Sequence, residues 1–257
     1  MQVDDGDSCM HSIPLAEIST VFLDAGNTLI SMDYAWLAAE LGALGFAASP
    51  ESLRRAEAAA RPATSLQISR RSAAGSHAHF ELYLDELLRN LEPTAHLAAA
   101  ARKAVAQSLA ASLKRPGEDF RLWSRVLPGI PAALETLRSL GLELVVVSNS
   151  DGSVERALEG LGLTAHLTAV LDSHVVGFEK PDPRFFRHAL ERAGAEAGRT
   201  VHVGDMYYQD IEGARAAGIH GVLLDPFGDW QVEDCPRIRD LPELSVQFQE
   251  SRRPKDV

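Results

Sequence analysis

Cysteine is scarce in this chain: among 257 residues only Cys9 and Cys235 carry a thiol. They stand apart, with no CxxC spacing, which argues against a disulfide-stapled secreted fold and for a reduced, cytoplasmic setting. Basic clusters are missing as well. The net charge is -11 and no Lys/Arg stripe is present, so nothing is built to displace the counterions of a nucleic acid. A local positive pocket for a small anion remains compatible with that total. No stretch approaches the roughly 18 apolar residues of a membrane span. The opening residues, "MQVDDGDSCMHS", lack the basic start and apolar run of a signal peptide. Internal repeats and low-complexity runs are absent too.

What is present is an ordinary globular composition, 46% hydrophobic and 24% charged, enough for a sizeable core. The length suits one large domain, or a core domain with a smaller one inserted. Two styles of sequence alternate. In 17–31 and 124–247, short apolar runs precede helical patterns. "LELVVV" (142–147), "RTVHV" (199–203) and "HGVLLD" (220–225) read as buried strands, joining a first strand that ends at Leu23. Helices are expected at 130–140, 152–161, 182–194 and 210–218, several ending at a glycine. This alternation predicts an α/β fold: a Rossmann-like three-layer α/β/α sandwich on a parallel sheet.

Residues 32–123 differ. They are rich in Ala, Leu, Arg and Glu, and read as about four amphipathic helices: an α-helical cap domain inserted after the first strand. Ser49-Pro50 predicts a helix start, Pro62 and Pro93 predict breaks, and "KRPGEDF" (114–120) a hinge back to the core. Residues 1–16 and 248–257 are expected to be tails.

In an open parallel sheet, ligands bind beyond the carboxyl ends of the strands. The residues leaving each strand there form a coherent set. The first strand delivers Asp24 and Thr28, "LELVVV" delivers Ser148 and Asn149, and "VVGFEKPDPRFF" (175–186) delivers Lys180. "RTVHV" delivers Gly204 and Asp205, with Asp210 at the start of the next helix. Such carboxylates suit Mg²⁺, which takes oxygen ligands and keeps several waters. A phosphoryl group would sit between that cation, Lys180, Ser148 and backbone N–H groups. Asp24 could then attack phosphorus, giving an aspartyl-phosphate that water hydrolyses.

At these residues the chain resembles the haloacid dehalogenase (HAD) superfamily, in the subfamily with a helical cap between the first and second motifs. "VFLDAGNTL" matches the first motif, "VVVSNSDG" the second, "GFEKPDPRFF" the third and "HVGDMYYQDIEGARAAGI" the fourth. The resemblance implies Asp24 as nucleophile and metal ligand, Thr28 as support of the phosphate loop, and Ser148 as phosphoryl ligand, with Asn149 beside it as a backbone and side-chain contributor to phosphate binding. It implies Lys180 as the bridge between nucleophile and phosphoryl group, Asp205 as metal ligand, and Asp210 as the residue that orients Lys180 or a metal-bound water. Mg²⁺ is the implied cofactor and a small phosphorylated metabolite the implied partner, with cap opening and closure around it. Neither a nucleic acid nor a membrane is expected as a partner, and the sequence leaves monomer and homodimer equally open.

One position departs from the pattern. Most phosphatases of the family read Asp-x-Asp at the first motif, and the second Asp protonates the leaving oxygen. Here that residue is Gly26. The backbone carbonyl that would contact the metal survives; general acid help, typically worth about 10²- to 10⁴-fold, does not. Three readings follow. The chain is a Mg²⁺-dependent phosphohydrolase whose leaving group needs no proton, as in an acyl phosphate, or takes one from the substrate or from a cap residue such as His77 or His79. Alternatively it is a HAD-like binding or regulatory protein with weak or lost turnover. The last reading, a metal-independent 2-haloacid dehalogenase, conflicts with the retained Asp205. Other candidates read as structural: His202 as a packed core histidine, Arg70 and Arg71 as a solvated helix end, and Trp123 as packing at re-entry. Tyr34 and Trp36 either pack the cap or line the site entrance, and "MYY" (206–208) is near enough to the site to shape it.

Overall fold

The computed structural model describes residues 13–70, 76–113 and 121–253. The strands are β1 (Thr20–Leu23), β2 (Ile30–Ser31), β3 (Arg125–Val126), β4 (Glu143–Ser148), β5 (Ala169–Asp172), β6 (Thr200–Gly204), β7 (His220–Leu224) and β8 (Arg237–Ile238). Six of them form one parallel sheet in the order β5-β4-β1-β6-β7-β8. β2 and β3 pair as a separate two-stranded sheet. The helices are α1 (Tyr34–Ala43), α2 (Pro50–Ser69), α3 (Ser76–Asn90), α4 (Glu92–Ala95), α5 (Ala99–Leu113) and α6 (Ile130–Ser139), followed by α7 (Val154–Gly160), α8 (Ser173–Val176), α9 (Pro183–Ala193), α10 (Gly213–Ala216) and α11 (Leu241–Ser251).

The chain divides into two compact units, 1–30 with 126–257, and 31–125. The first is the α/β unit. Its central strands carry apolar residues on both faces, as a sheet covered by helices requires. On one face Phe22, Val145 and Val147 pack with Phe185, Phe186 and Ala189 of α9 and with Ala214 of α10. Alternation sends Val21, Leu23, Leu144 and Val146 to the other face, and all four are fully buried. There α6 packs on β4 and on α11. The sheet grows leftward from β1 through β4 to β5, then the chain returns to the other side of β1 for β6. That reversal places a switch point at the carboxyl ends of β1 and β6, where an open α/β sheet opens a crevice.

The second unit, 31–125, is a helical bundle held by Leu37, Leu41, Leu53, Leu84, Leu87, Leu88 and Leu109, all fully buried. Ser49 and Ser52 form a reciprocal capping box at the start of α2, with Pro50 in the first turn where its missing N–H costs nothing. Pro93 likewise stands in the first turn of α4. The expected break at Pro62 does not occur: α2 runs through it. Proline removes one i→i−4 bond there. The buried face of Ala56, Ala60, Arg61, Thr64 and Ser65, with the ion pair Arg61–Glu57 at 2.7 Å, holds the helix together across the gap.

Both expected tails also need correction. Ile13 and Leu15 are buried, so packed structure begins before residue 17. At the other end α11 carries Phe248, fully buried, beyond the expected boundary at 247. Residues 1–12, Arg71, the expected hinge at 114–120 and residues 254–257 lie outside the described residues, as does the side chain of His77.

Candidate active site

β1 is buried along its whole length, so its exit is the first place a carboxylate can meet anything polar. Asp24 stands there with its backbone N–H still donating to Val203 O at 2.9 Å. The chain then turns tightly. Ala25 O accepts from the N–H groups of Leu29 and Ile30 at 2.9 and 3.0 Å, and Asn27 N–H donates to Ile30 O at 2.6 Å. This turn needs a left-handed residue, and Asn27 supplies it with φ 54°, a conformation that asparagine tolerates better than most side chains.

Register sets the neighbours. Leu23 is level with Val146 of β4 and Val203 of β6. Asp24 is therefore level with Val147 and Gly204, while Ser148 and Asp205 stand one residue further out on its two flanks. Gly204 has to be glycine: a Cβ there would lie 2.2 Å from Asp210 Cγ. Asp210 is folded back into that space by a wide helical turn, Tyr207–Glu212. Its Oδ2 accepts from Met206 N–H at 2.9 Å, and its own N–H donates to Met206 O at 2.7 Å.

Lys180 closes the arrangement. Its ammonium donates to Asp24 Oδ1 and to Asp210 Oδ1, each at 2.6 Å, and the side chain is only 3% exposed. Asn149 aims it. The Asn149 Nδ2 group donates to Lys180 O at 2.9 Å, and Lys180 N–H donates to Asn149 Oδ1 at 2.7 Å. The side chain of Asn149, expected beside Ser148 at the phosphoryl group, is thus engaged with the main chain of Lys180, which leaves its backbone as the part that could face a phosphoryl group. Thr28 is fully buried and its hydroxyl has no hydrogen-bond partner. Ser148 is at the end of β4, 5% exposed.

Two contributors escaped the sequence reading. Asn27 Nδ2 donates to Asp205 Oδ2 at 3.1 Å and so ties the β1 turn to the β6 exit. His202, expected to be a packing residue, is fully buried against Phe186, and its Nε2 also lies 2.9 Å from Asp210 Oδ1. The signal for Asn27 was its place beside Gly26 in a tight turn; for His202 it was a polar residue in an otherwise apolar strand.

The charges are strongly interdependent. Burial pushes the Asp24 carboxyl above its usual range, with Lys180 pulling the other way. Burial also opposes the Lys180 charge, but Asp210 and Asp24 outweigh it and hold the ammonium well above the ordinary lysine value. Asp210 is likewise disfavoured by burial, yet Lys180 and His202 hold it well below the carboxylate range. The cluster thus favours Lys180 as a cation and Asp210 as an anion.

Among the described residues no group of three or more His, Cys, Asp and Glu side chains is arranged to hold a metal. Asp24 and Asp205 follow the ends of the paired strands β1 and β6, where Leu23 is level with Val203, so two carboxylates leave neighbouring strand ends. That chemistry fits Mg²⁺, which binds through one or two carboxylates and keeps its waters.

Of the other candidates, Arg70 caps the end of α2 and is exposed. His79 belongs to α3, and its Nε2 is buried without a partner. Trp36 is buried in the core of the helical unit, and its indole N–H donates to Glu40 at 3.0 Å. Tyr34 donates its hydroxyl to Glu57 at 3.1 Å, and Trp123 packs against the same helical core.

Known proteins share this arrangement of elements. A model of haloacid dehalogenase-like hydrolases matches residues 18–218. The bovine (Bos taurus) haloacid dehalogenase-like hydrolase domain-containing protein 3 is 41% identical over 145 residues, 54% of this chain and 58% of that protein. The phosphoserine phosphatase of Thermus thermophilus is 35% identical over 143 residues, 54% of this chain and 56% of that one. The chain thus spans a little over half the length of these curated relatives. In fold it is similar to a HAD phosphatase from Thermococcus onnurineus, with a TM-score of 0.57 at 23% identity, covering 90% of this chain and 98% of that one. The motif order, the switch-point placement and the match over most of the α/β unit converge: the chain belongs to the haloacid dehalogenase-like hydrolases.

Proposed function

We propose that this hydrolase is a Mg²⁺-dependent phosphatase of a small phosphorylated metabolite, acting through an aspartyl-phosphate on Asp24. The observation that carries the reading is the buried bridge in which Lys180 Nζ lies 2.6 Å from both Asp24 and Asp210. A carboxylate cannot approach a phosphoryl anion unless positive charge stands beside both. Lys180 supplies such charge, and supplies it on Asp24 Oδ1, leaving Oδ2 as the attacking atom. A phosphatase among the relatives supports the same chemistry.

In the first half-reaction Asp24 Oδ2 bonds to phosphorus, the ester or anhydride P–O bond breaks, and its electron pair leaves on the departing oxygen. In the second, a water oxygen bonds to phosphorus as the Asp24 Oδ2–P bond breaks, its electron pair returns to the Asp24 carboxylate, and both water protons leave with the phosphate as H2PO4⁻. Asp24, Asp205 and the Gly26 carbonyl would hold Mg²⁺, which when bound neutralises phosphoryl charge. Ser148, at the flank of Asp24, would bind a phosphoryl oxygen. The helical unit 31–125 is read as the cap that selects the substrate.

Gly26 shapes the substrate class. It offers no proton to the leaving oxygen, and the Lys180 ammonium already donates to Asp24 and Asp210. Leaving groups that are stable as anions, such as the carboxylate of an acyl phosphate, are therefore favoured. The same glycine favours a second reading, a binding protein with residual turnover.

The test is phosphate release from acetyl phosphate and from a sugar phosphate, with and without Mg²⁺, beside Asp24→Asn. Expected is metal-dependent release from acetyl phosphate, lost by about 10³-fold or more in the variant, with the sugar phosphate cleaved far more slowly. Release from neither substrate, with Mg²⁺ still bound, moves the binding-protein reading ahead.

A further inference from the structure

We infer that His202 is a positioning residue: its Nε2–H holds Asp210 in the orientation that aims the Lys180 ammonium at Asp24. The inference rests on the phosphatase reading for its kinetic consequence, but its geometry stands apart from it.

Asp210 Oδ1 takes two contacts, Lys180 Nζ at 2.6 Å and His202 Nε2 at 2.9 Å. Its Oδ2 accepts from Met206 N–H. The carboxylate is thus fixed at both oxygens, by the loop that carries Lys180 and by β6 with its exit. The histidine donates without adding charge. An ionised Asp210 can only accept, so Nε2 must carry the proton. The other ring nitrogen, Nδ1, is buried with no hydrogen-bond partner, a place where a second N–H and a full positive charge would go unmet. Burial lowers the histidine's affinity for a second proton, in agreement. The ring is held by an edge-on contact with Phe186, centroids 5.0 Å apart at 79°, and by its strand, since His202 pairs in register with Phe22 of β1 and Gly221 of β7.

The arrangement explains why a polar residue occupies the middle of an otherwise apolar strand. A leucine at 202 would fill the space but leave Asp210 Oδ1 with Lys180 alone. Freed of its lateral restraint, the carboxylate could swing with the lysine, and the ammonium would no longer be shared evenly with Asp24. Mutating the histidine therefore acts on the chemical step rather than on substrate capture.

The experiment has two independent arms. The first uses ¹⁵N-labelled protein and needs no turnover. The expected spectrum shows a slowly exchanging imidazole proton on Nε2 of His202, absent in His202→Leu and shifted in Asp210→Asn. An Nδ1–H tautomer or an imidazolium at neutral pH overturns the inference. The second arm measures Mg²⁺-dependent hydrolysis of acetyl phosphate. His202→Leu should lower kcat by about 10- to 100-fold with KM within about twofold, and His202→Gln, which keeps a donor, should recover part of the loss. A folded His202→Leu with wild-type kcat overturns the inference. Should His202→Leu fail to fold, His202→Gln and the wild-type spectrum carry the decision. Should the wild-type protein hydrolyse nothing, the phosphatase reading fails and the spectrum alone decides the role of His202.

Discussion

Gly204 shows how much a missing atom can do. Its α-carbon lies where the Asp210 carboxyl folds back, and any side chain would collide with it at 2.2 Å. Gly204→Ala should push Asp210 away from Lys180, or strain the strand end to avoid doing so. Overpacking of this kind costs about 1 to 3 kcal/mol, measurable as a lowered Tm, and the displaced bridge should cost at least about tenfold in kcat. A variant with unchanged melting and turnover would show that Asp210 has another place to go. At this scale the sequence was only partly legible. Asp24 and Asp205 stand out as charged residues just past apolar strands, and Lys180 and Asp210, which the structure joins to Asp24 in one bridge, as charged residues in the short segments that follow. Asn27 and His202 do not, because each acts through the side chain of another residue, Asp205 and Asp210 respectively, and such a bond depends on a distance that no spacing encodes. The role of the Asn149 side chain was not legible for the same reason: its neighbour in sequence is Ser148, while its partner in space is the backbone of Lys180.

Helices and strands were easier to read where they are long. β4, β6 and β7 fell where apolar runs placed them, whereas β5, four residues, and the two-residue β2, β3 and β8 are too short to show a period. Pro62 misled because proline is judged locally and α2 is stabilised by tertiary burial. The start of α1 makes a testable case. Asp33 accepts from the N–H groups of Ala35 and Trp36, both at 3.1 Å, and pairs with Arg125 at 2.6 Å. Burial works against the charge of Asp33, but these donors and Arg125 prevail and depress its pKa. A carboxyl with a depressed folded-state pKa stabilises the fold fully above its unfolded value, about 3.9, and loses that contribution as pH falls through the folded one. Asp33→Ala should therefore cost about 1 kcal/mol at neutral pH, and the gap between variant and wild type should close below about pH 4. A gap that persists undiminished into acid would mean that shape rather than charge makes the cap.

For the whole molecule, two units in one chain were legible from the change of sequence style, to within a residue or two of where the contacts divide. The end of the α/β unit was not, although Leu241, Leu244 and Phe248 recur at helical spacing and are all fully buried. The last helix belongs to the packed layer over α6, so Phe248→Ala should destabilise the unit by about 3 to 5 kcal/mol, read from the denaturant midpoint. A loss under about 1 kcal/mol would mean that α11 contributes little to global stability.

The chain leaves the α/β unit at Ile30–Ser31 and returns at Arg125–Val126, and these two passages run side by side as a paired ribbon. From the sheet's point of view, nearly a hundred residues of helices occupy the position of a turn. A turn can be lengthened, shortened or exchanged without asking the scaffold's permission. The helical insertion can therefore be altered without moving the strand ends that carry Asp24 and Asp205.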